Sequence, residues 1–295
     1  MKNTVFTGAA TAIITPFTNN EINYEQFAKL IEFQIAEGID AIVVCGTTGE
    51  GSTLTDEEHR DAIRFCVEQV AGRVPVIAGT GSNDAAYAID LTKFACEVGA
   101  DAMLLVTPYY NKATQNGLIK FFTAIADAST KPVILYNVPS RTGCNLLPAS
   151  VAVLADHPNI VAIKEASGNI SQIAELAALV GDKIDIYSGN DDQIVPILAL
   201  GGKGVISVLS NPMPRATHDI CQKFFDGDIA GSRKLQLELL DFVNALFCEV
   251  NPIPVKAAMA AMGYCDDELR LPLTSMEDAH KEKMLGMMRE LGLIQ

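Results

Sequence analysis

Eight short apolar, β-branched runs alternate with longer amphipathic stretches along this chain, at about thirty residues per unit. The runs fall at 9–15, 41–45, 74–78, 102–106, 133–136, 160–164, 184–187 and 204–208. Between them, 24–37, 56–70, 84–98, 116–128, 148–155, 170–180 and 193–200 carry apolar residues at helical spacing, as Phe27, Leu30, Ile31 and Ile35 do before the stop at Gly38. Strands joined by helical crossovers run parallel, and parallel strands covered on both faces read as continuous Val and Ile. Eight such units predict an α/β fold of the (β/α)8 TIM barrel type, because an open doubly wound sheet usually has five or six strands. The units share a pattern but no residue identities, so they are not solenoid repeats.

Past residue 212 the strand pattern stops, and 215–225, 229–249, 254–262 and 276–291 read as helices. The expected organisation is a barrel over residues 1–211 and a C-terminal helical extension over 212–295 packed on it. Aromatic and methionine positions in the extension, among them Phe247 and Met284, recur at helical spacing and read as packing.

With 295 residues, 49% hydrophobic, the chain can bury a large core. A net charge of −14 argues against nucleic acid or an anionic membrane as partner, and any anionic substrate must be met by local cations. Seven scattered cysteines point to a reducing compartment, and no leader or apolar run of ~18–20 residues is visible, so a cytoplasmic location is expected. No metal is expected: His59, His157, His218 and His280 stand far apart, and His-Glu-x-x-His and Cys-x-x-Cys are absent. His59, early in a polar helical stretch, reads as solvated. Gly79-x-Gly81 lacks the third glycine of a dinucleotide fingerprint, and no phosphate loop occurs. No cofactor is expected.

In a barrel of this kind chemistry sits just after the strands. Those positions hold Gly46-Thr47-Thr48-Gly49-Glu50, Thr107-Pro108-Tyr109-Tyr110, Asn137-Val138-Pro139-Ser140-Arg141, and Ser188-Gly189-Asn190-Asp191. The sixth run ends on Lys164. A buried amine loses its proton more readily and becomes a nucleophile able to form a Schiff base. Taken alone, Lys164 could instead leave the strand, reach water and pair with Glu165. Each neighbour has a similar double reading: Tyr136 as core or as a phenol aimed at the amine, Arg141 as a solvated loop residue or a carboxylate fork, Thr47–Thr48 as a tight turn or an anion cradle. Tyr109 and Tyr110 read more readily as surface or interface aromatics. One lysine, several hydroxyls, tyrosines and an arginine on a single face favour a site.

Gly46-Thr-Thr-Gly-Glu50, Tyr136-Asn-Val-Pro139 with Arg141-Thr-Gly143, and Ile163-Lys-Glu-Ala-Ser-Gly168 resemble the signatures of the pyruvate-dependent class I aldolases, the N-acetylneuraminate lyase family. The similarity extends to Asn251-Pro-Ile-Pro-Val-Lys256. It implies condensation of pyruvate with L-aspartate 4-semialdehyde in the diaminopimelate route to lysine, by a homotetramer built as a dimer of dimers. Lys164 would form the Schiff base. Tyr136, Thr47 and Tyr110 would relay protons, Tyr110 from a neighbouring subunit and Tyr136 with its phenol pKa lowered by a nearby cation. Thr48 would hold the pyruvate carboxylate, Arg141 that of the semialdehyde, and Gly189 and Ile206 would offer backbone contacts. Sialic acid lyases and keto-deoxy sugar acid aldolases share the lysine and tyrosine but generally lack this arginine. A non-catalytic keto-acid binder would have no use for the full proton-transfer set.

Many such proteins also bind lysine at a dimer interface, and His59, Asn83 and Tyr109 fit that pattern. Asp56 and Tyr87 replace the histidine and glutamate frequent in lysine-sensitive members, so weak or absent inhibition is expected. Asn190 stands where aspartate is common, removing a charge, and Cys144 lies beside the site.

Overall fold

The computed structural model describes residues 2–295. Its strands are β1 (Gly8–Ala12), β2 (Phe17–Thr18), β3 (Glu21–Ile22), β4 (Ala41–Val44), β5 (Val76–Gly79), β6 (Ala102–Val106), β7 (Val133–Asn137), β8 (Ile160–Glu165), β9 (Asp185–Ser188) and β10 (Gly204–Ser207). Eight of them close in the order β1-β10-β9-β8-β7-β6-β5-β4, each pair parallel, while β2 and β3 form a separate antiparallel hairpin. The expected (β/α)8 barrel is therefore present, and the hairpin is an addition. Two-residue strands are too short to show alternation in sequence.

Strand residues alternate between two cores, as the period of two requires. Ala10, Ala12, Val43, Ile77, Leu104, Ile134, Tyr136, Ala162, Tyr187 and Ile206 fill the barrel interior. Their neighbours Ala9, Ile42, Val44, Val133, Leu135 and Ile163 pack outward under the helices. Lys164 lies two residues after Ala162 and shares its face. The β7–β8 register sets Tyr136 opposite Lys164 and Asn137 opposite Glu165.

The helices begin where capping chemistry starts them. Asn23 accepts from Gln26 N ahead of Tyr24–Ala36, and Thr55 and Glu58 form a reciprocal capping box ahead of Asp56–Val70. Pro214–Phe225 packs on β1 and β10, the place of an eighth barrel helix. The stretch read as one helix over 229–249 is two, Ile229–Glu238 and Leu240–Leu246, divided at Leu239. The amino end of the barrel is plugged. Phe6 stacks on Tyr187 with ring centroids 4.2 Å apart, and the Tyr187 hydroxyl donates to Phe6 O at 2.6 Å. Lys2 Nζ donates to the carbonyls of Ala155 and Ile160, both at 2.7 Å. Chemistry is left to the carboxyl end.

Candidate active site

Lys164 is 6% exposed and has no hydrogen bond or ion pair among the described residues. The reading in which it reaches water and pairs with Glu165 is overturned by the strand itself. Adjacent residues point to opposite faces, so Glu165 turns outward and accepts from Asn137 Nδ2 and, at 2.6 Å, from Ser167 N. Lys164 Nζ lies 4.3 Å from the centroid of the Tyr136 ring. Burial brings the ammonium down to about 7; the Asp191 carboxyl opposes this, and the Arg141 guanidinium adds to it.

The amine opens into a cavity of about 160 Å³ walled by Thr47, Thr48, Tyr136, Arg141, Gly189 and Asn190, and also by Phe247 and Asn251. The volume is below the ~300–1,000 Å³ of drug-sized pockets and suits a molecule of a few carbons. Gly189 is required by space: a Cβ there would fall 2.7 Å from Ala166 Cβ and 3.1 Å from Lys164 Cε. Ile206 sits in the barrel wall, 1% exposed, outside the cavity lining.

The Tyr136 phenol departs from the expected lowering. Burial raises it, and the Arg141 guanidinium and the Thr47 hydroxyl beside it only partly offset the rise. The Arg141 cation is nearby, but desolvation of a phenolate is the larger effect. Asp191, 2% exposed, accepts from Val208 N at 3.0 Å and Leu209 N at 2.9 Å, and burial raises its carboxyl. Thus a negative-capable group stands beside Asn190 although Asn190 itself is neutral.

A second cavity of about 530 Å³ shares Gly46, Thr47, Tyr136 and Arg141 with the first and extends over Asp56, His59, Tyr87 and Tyr109. His59 is 5% exposed, so the expectation of a solvated histidine is corrected. Its helix turns it inward to Gly79 O, 2.8 Å from Nε2, and burial lowers its pKa, leaving a neutral ring that donates there. Asn83 is not in the lining, but its Nδ2 donates to Tyr109 O at 3.2 Å. Tyr110 is 91% exposed and away from Lys164's cavity in its own chain. Cys144 is buried and outside both linings. Among the described residues one group has metal-ligand spacing, Glu249, Glu277 and His280, which lies near the surface and outside both cavities.

Sequence reading missed Asn251 and Phe247 as cavity residues. Phe247 reads as helix packing yet is 42% exposed and faces the lysine cavity.

An amine lowered to about 7, hydroxyl and guanidinium donors and a phenol in one small cavity constitute equipment for covalent carbonyl chemistry. The sequence model of the Dihydrodipicolinate synthetase family matches residues 5–291. The chain is 61% identical to a 4-hydroxy-tetrahydrodipicolinate synthase of Lachnoclostridium phytofermentans, over 98% of this chain and 99% of that one. Among crystal structures, dihydrodipicolinate synthase from Aquifex aeolicus is 44% identical with a TM-score of 0.96, covering 98% of this chain and 99% of that one. The chloride-inhibited dihydrodipicolinate synthase from Acinetobacter baumannii complexed with pyruvate is 42% identical with a TM-score of 0.96, covering 99% and 100%.

Proposed function

The chain belongs to the dihydrodipicolinate synthetase family, and from that premise we infer how its own residues carry the reaction. It is a lyase that condenses pyruvate with L-aspartate 4-semialdehyde to give 4-hydroxy-tetrahydrodipicolinate, a step of lysine biosynthesis by the diaminopimelate route. The carrying observation is Lys164, a buried amine poised near neutrality in a small cavity that also holds hydroxyl and guanidinium donors.

Lys164 attacks the pyruvate ketone, and loss of water gives an imine that withdraws electrons from the methyl group. Loss of a methyl proton then yields an enamine, whose carbon adds to the semialdehyde carbonyl. Thr48 holds the pyruvate carboxylate, with Thr47 adjacent, and Arg141 receives the carboxylate of the second substrate. Tyr136 moves protons at the imine and during ring closure, when the substrate amine displaces Lys164. A phenol held above its ordinary pKa remains protonated at neutral pH and is ready to donate. Gly189 and Ile206 lend main-chain contacts beside the imine. The division proposed is a barrel over 1–211 closed by the helix Pro214–Phe225, with the rest of 212–295 as a helical region packed on it.

The assembly is a homotetramer arranged as a dimer of dimers, in which Tyr110 crosses to a neighbouring site. Support comes from its 91% exposure and positive φ of 71°, which project an aromatic ring away from its own barrel. No helix among the described residues is long and apolar enough to cross a membrane, and the chain acts in the cytoplasm.

Incubation with pyruvate and borohydride tests the chemistry. Mass spectrometry should locate the adduct on Lys164, with turnover of the semialdehyde and none of N-acetylmannosamine. No adduct, or an adduct elsewhere, would overturn the assignment. The larger cavity, with Asp56 and Tyr87 at its rim and His59 neutral, offers little to hold lysine's ammonium as a glutamate would. Asp56 is already engaged by Arg60 at 2.9 Å. Weak or absent inhibition by L-lysine is expected, and saturable inhibition below the millimolar range would refute it.

A further inference from the structure

Asn251 touches both residues that face substrate carboxylates. Its Nδ2 donates to Thr48 Oγ1 at 3.0 Å, and its main-chain carbonyl accepts from Arg141 Nη2 at 3.3 Å. It lies in the wall of the Lys164 cavity, is 5% exposed, and its Oδ1 is buried without a hydrogen-bond partner among the described residues. Resting on the reading of Thr48 and Arg141 given above, we propose that Asn251 is a positioning residue that aims the Thr48 hydroxyl proton at the pyruvate carboxylate and holds the Arg141 guanidinium at the same cavity.

The direction of the hydrogen bond carries the argument. An amide NH₂ can only donate, so Thr48 Oγ1 must spend a lone pair on Asn251, and its single proton remains free. Thr48 Oγ1 has no other partner among the described residues, so the cavity is where that proton is offered. Arg141 likewise spends one N–H on Asn251 and has no ion pair, leaving its other donors for an anion. The arrangement is braced from below. Lys256 and Glu50 form a buried ion pair, with side chains 0% and 1% exposed, and Glu50 also accepts from Arg270 N at 3.1 Å. Glu50 N donates to Thr47 O at 3.1 Å and closes the turn carrying Thr47 and Thr48. Lys256 belongs to the helix Ile253–Ala261, two residues after Asn251. One C-terminal segment therefore anchors the turn through Lys256 and orients its hydroxyl through Asn251.

The test compares Asn251→Asp with wild type, each with and without Thr48→Val, by pyruvate KM, kcat and unfolding midpoint. A carboxylate can only accept, so it takes the Thr48 proton and adds a negative charge where pyruvate's must sit. Pyruvate KM should rise about tenfold or more, with a smaller change in kcat. In the Thr48→Val background the part that runs through the hydroxyl is lost and only the added charge remains, so the rise in pyruvate KM should be several-fold smaller than with Thr48 present. If Asn251→Asp does not fold, Asn251→Ala carries the comparison, because loss of the donor frees the hydroxyl to turn away and raises pyruvate KM only when Thr48 is present. Equal effects of the Asn251 variant in both backgrounds, or an unchanged pyruvate KM while Thr48→Val raises it, would overturn the inference alone. An unchanged KM in Thr48→Val itself would overturn the reading on which it rests.

Discussion

An amine attacks a ketone only when unprotonated, and at Lys164 the fold supplies that form by burial. With the folded pKa lowered to about 7, kcat/KM for pyruvate should fall about tenfold per pH unit below that value and level off above it. A limb still rising towards pH 10 would refute the assignment. The stability linkage runs in the same direction: unfolded lysine binds a proton up to 10.5, so the cost of burying it is greatest below about 7 and is relieved as pH rises between the two. Gly189 constrains the same group sterically. Gly189→Ala places a methyl 3.1 Å from Lys164 Cε and 2.7 Å from Ala166 Cβ. Displacing the nucleophile by a fraction of an ångström should lower kcat by about 10–100-fold, and the overlap with Ala166 should lower the unfolding midpoint as well. Steady-state rates with a thermal melt check this, and a near-normal kcat would show that the contact relaxes elsewhere.

At the scale of elements, the barrel strands were legible because burial on both faces leaves uninterrupted β-branched runs. The range 56–70 matches the helix Asp56–Val70, which Thr55 and Glu58 start with a reciprocal capping box. Position at a strand's carboxyl end was enough to gather Lys164, Tyr136 and Thr48 at one cavity. Other parts depend on tertiary geometry with no local signal. The β2–β3 hairpin is too short for periodicity, whereas His59 did carry a signal, standing three, four and seven residues before the buried Ala62, Ile63 and Cys66. Phe247 and Asn251 enter from beyond the last strand, in a region whose apolar spacing signals only helices. The Glu50–Lys256 pair is of that kind, joining residues 206 apart in sequence. Lys256→Met would leave the Glu50 carboxylate buried without its cation and should cost about 3–5 kcal/mol, whereas the Glu50→Leu, Lys256→Met double variant should recover a large part of it. Urea denaturation measures both. Equal stability of single variant and wild type would mean that the turn opens to water and solvates Glu50.

At the scale of the whole molecule, the tyrosine proposed for the proton relay, Tyr110, stands 91% exposed and apart from the Lys164 cavity of its own chain. The proposed intersubunit site accounts for this, and it predicts complementation. Tyr110→Phe removes the relay hydroxyl but keeps Lys164, and should lower kcat about hundredfold. Lys164→Ala removes the nucleophile but keeps Tyr110, and should be inactive. When the two chains are co-refolded, each mixed pair contains one site with an intact lysine and a neighbour's intact tyrosine. Random pairing in a two-fold interface then restores about a quarter of the wild-type rate, far above either parent. Mixing assembled parents without exchange should restore nothing, which separates assembly from contamination. A co-refolded sample no more active than the mean of its parents would overturn the intersubunit site, because a residue acting within its own chain cannot rescue the other.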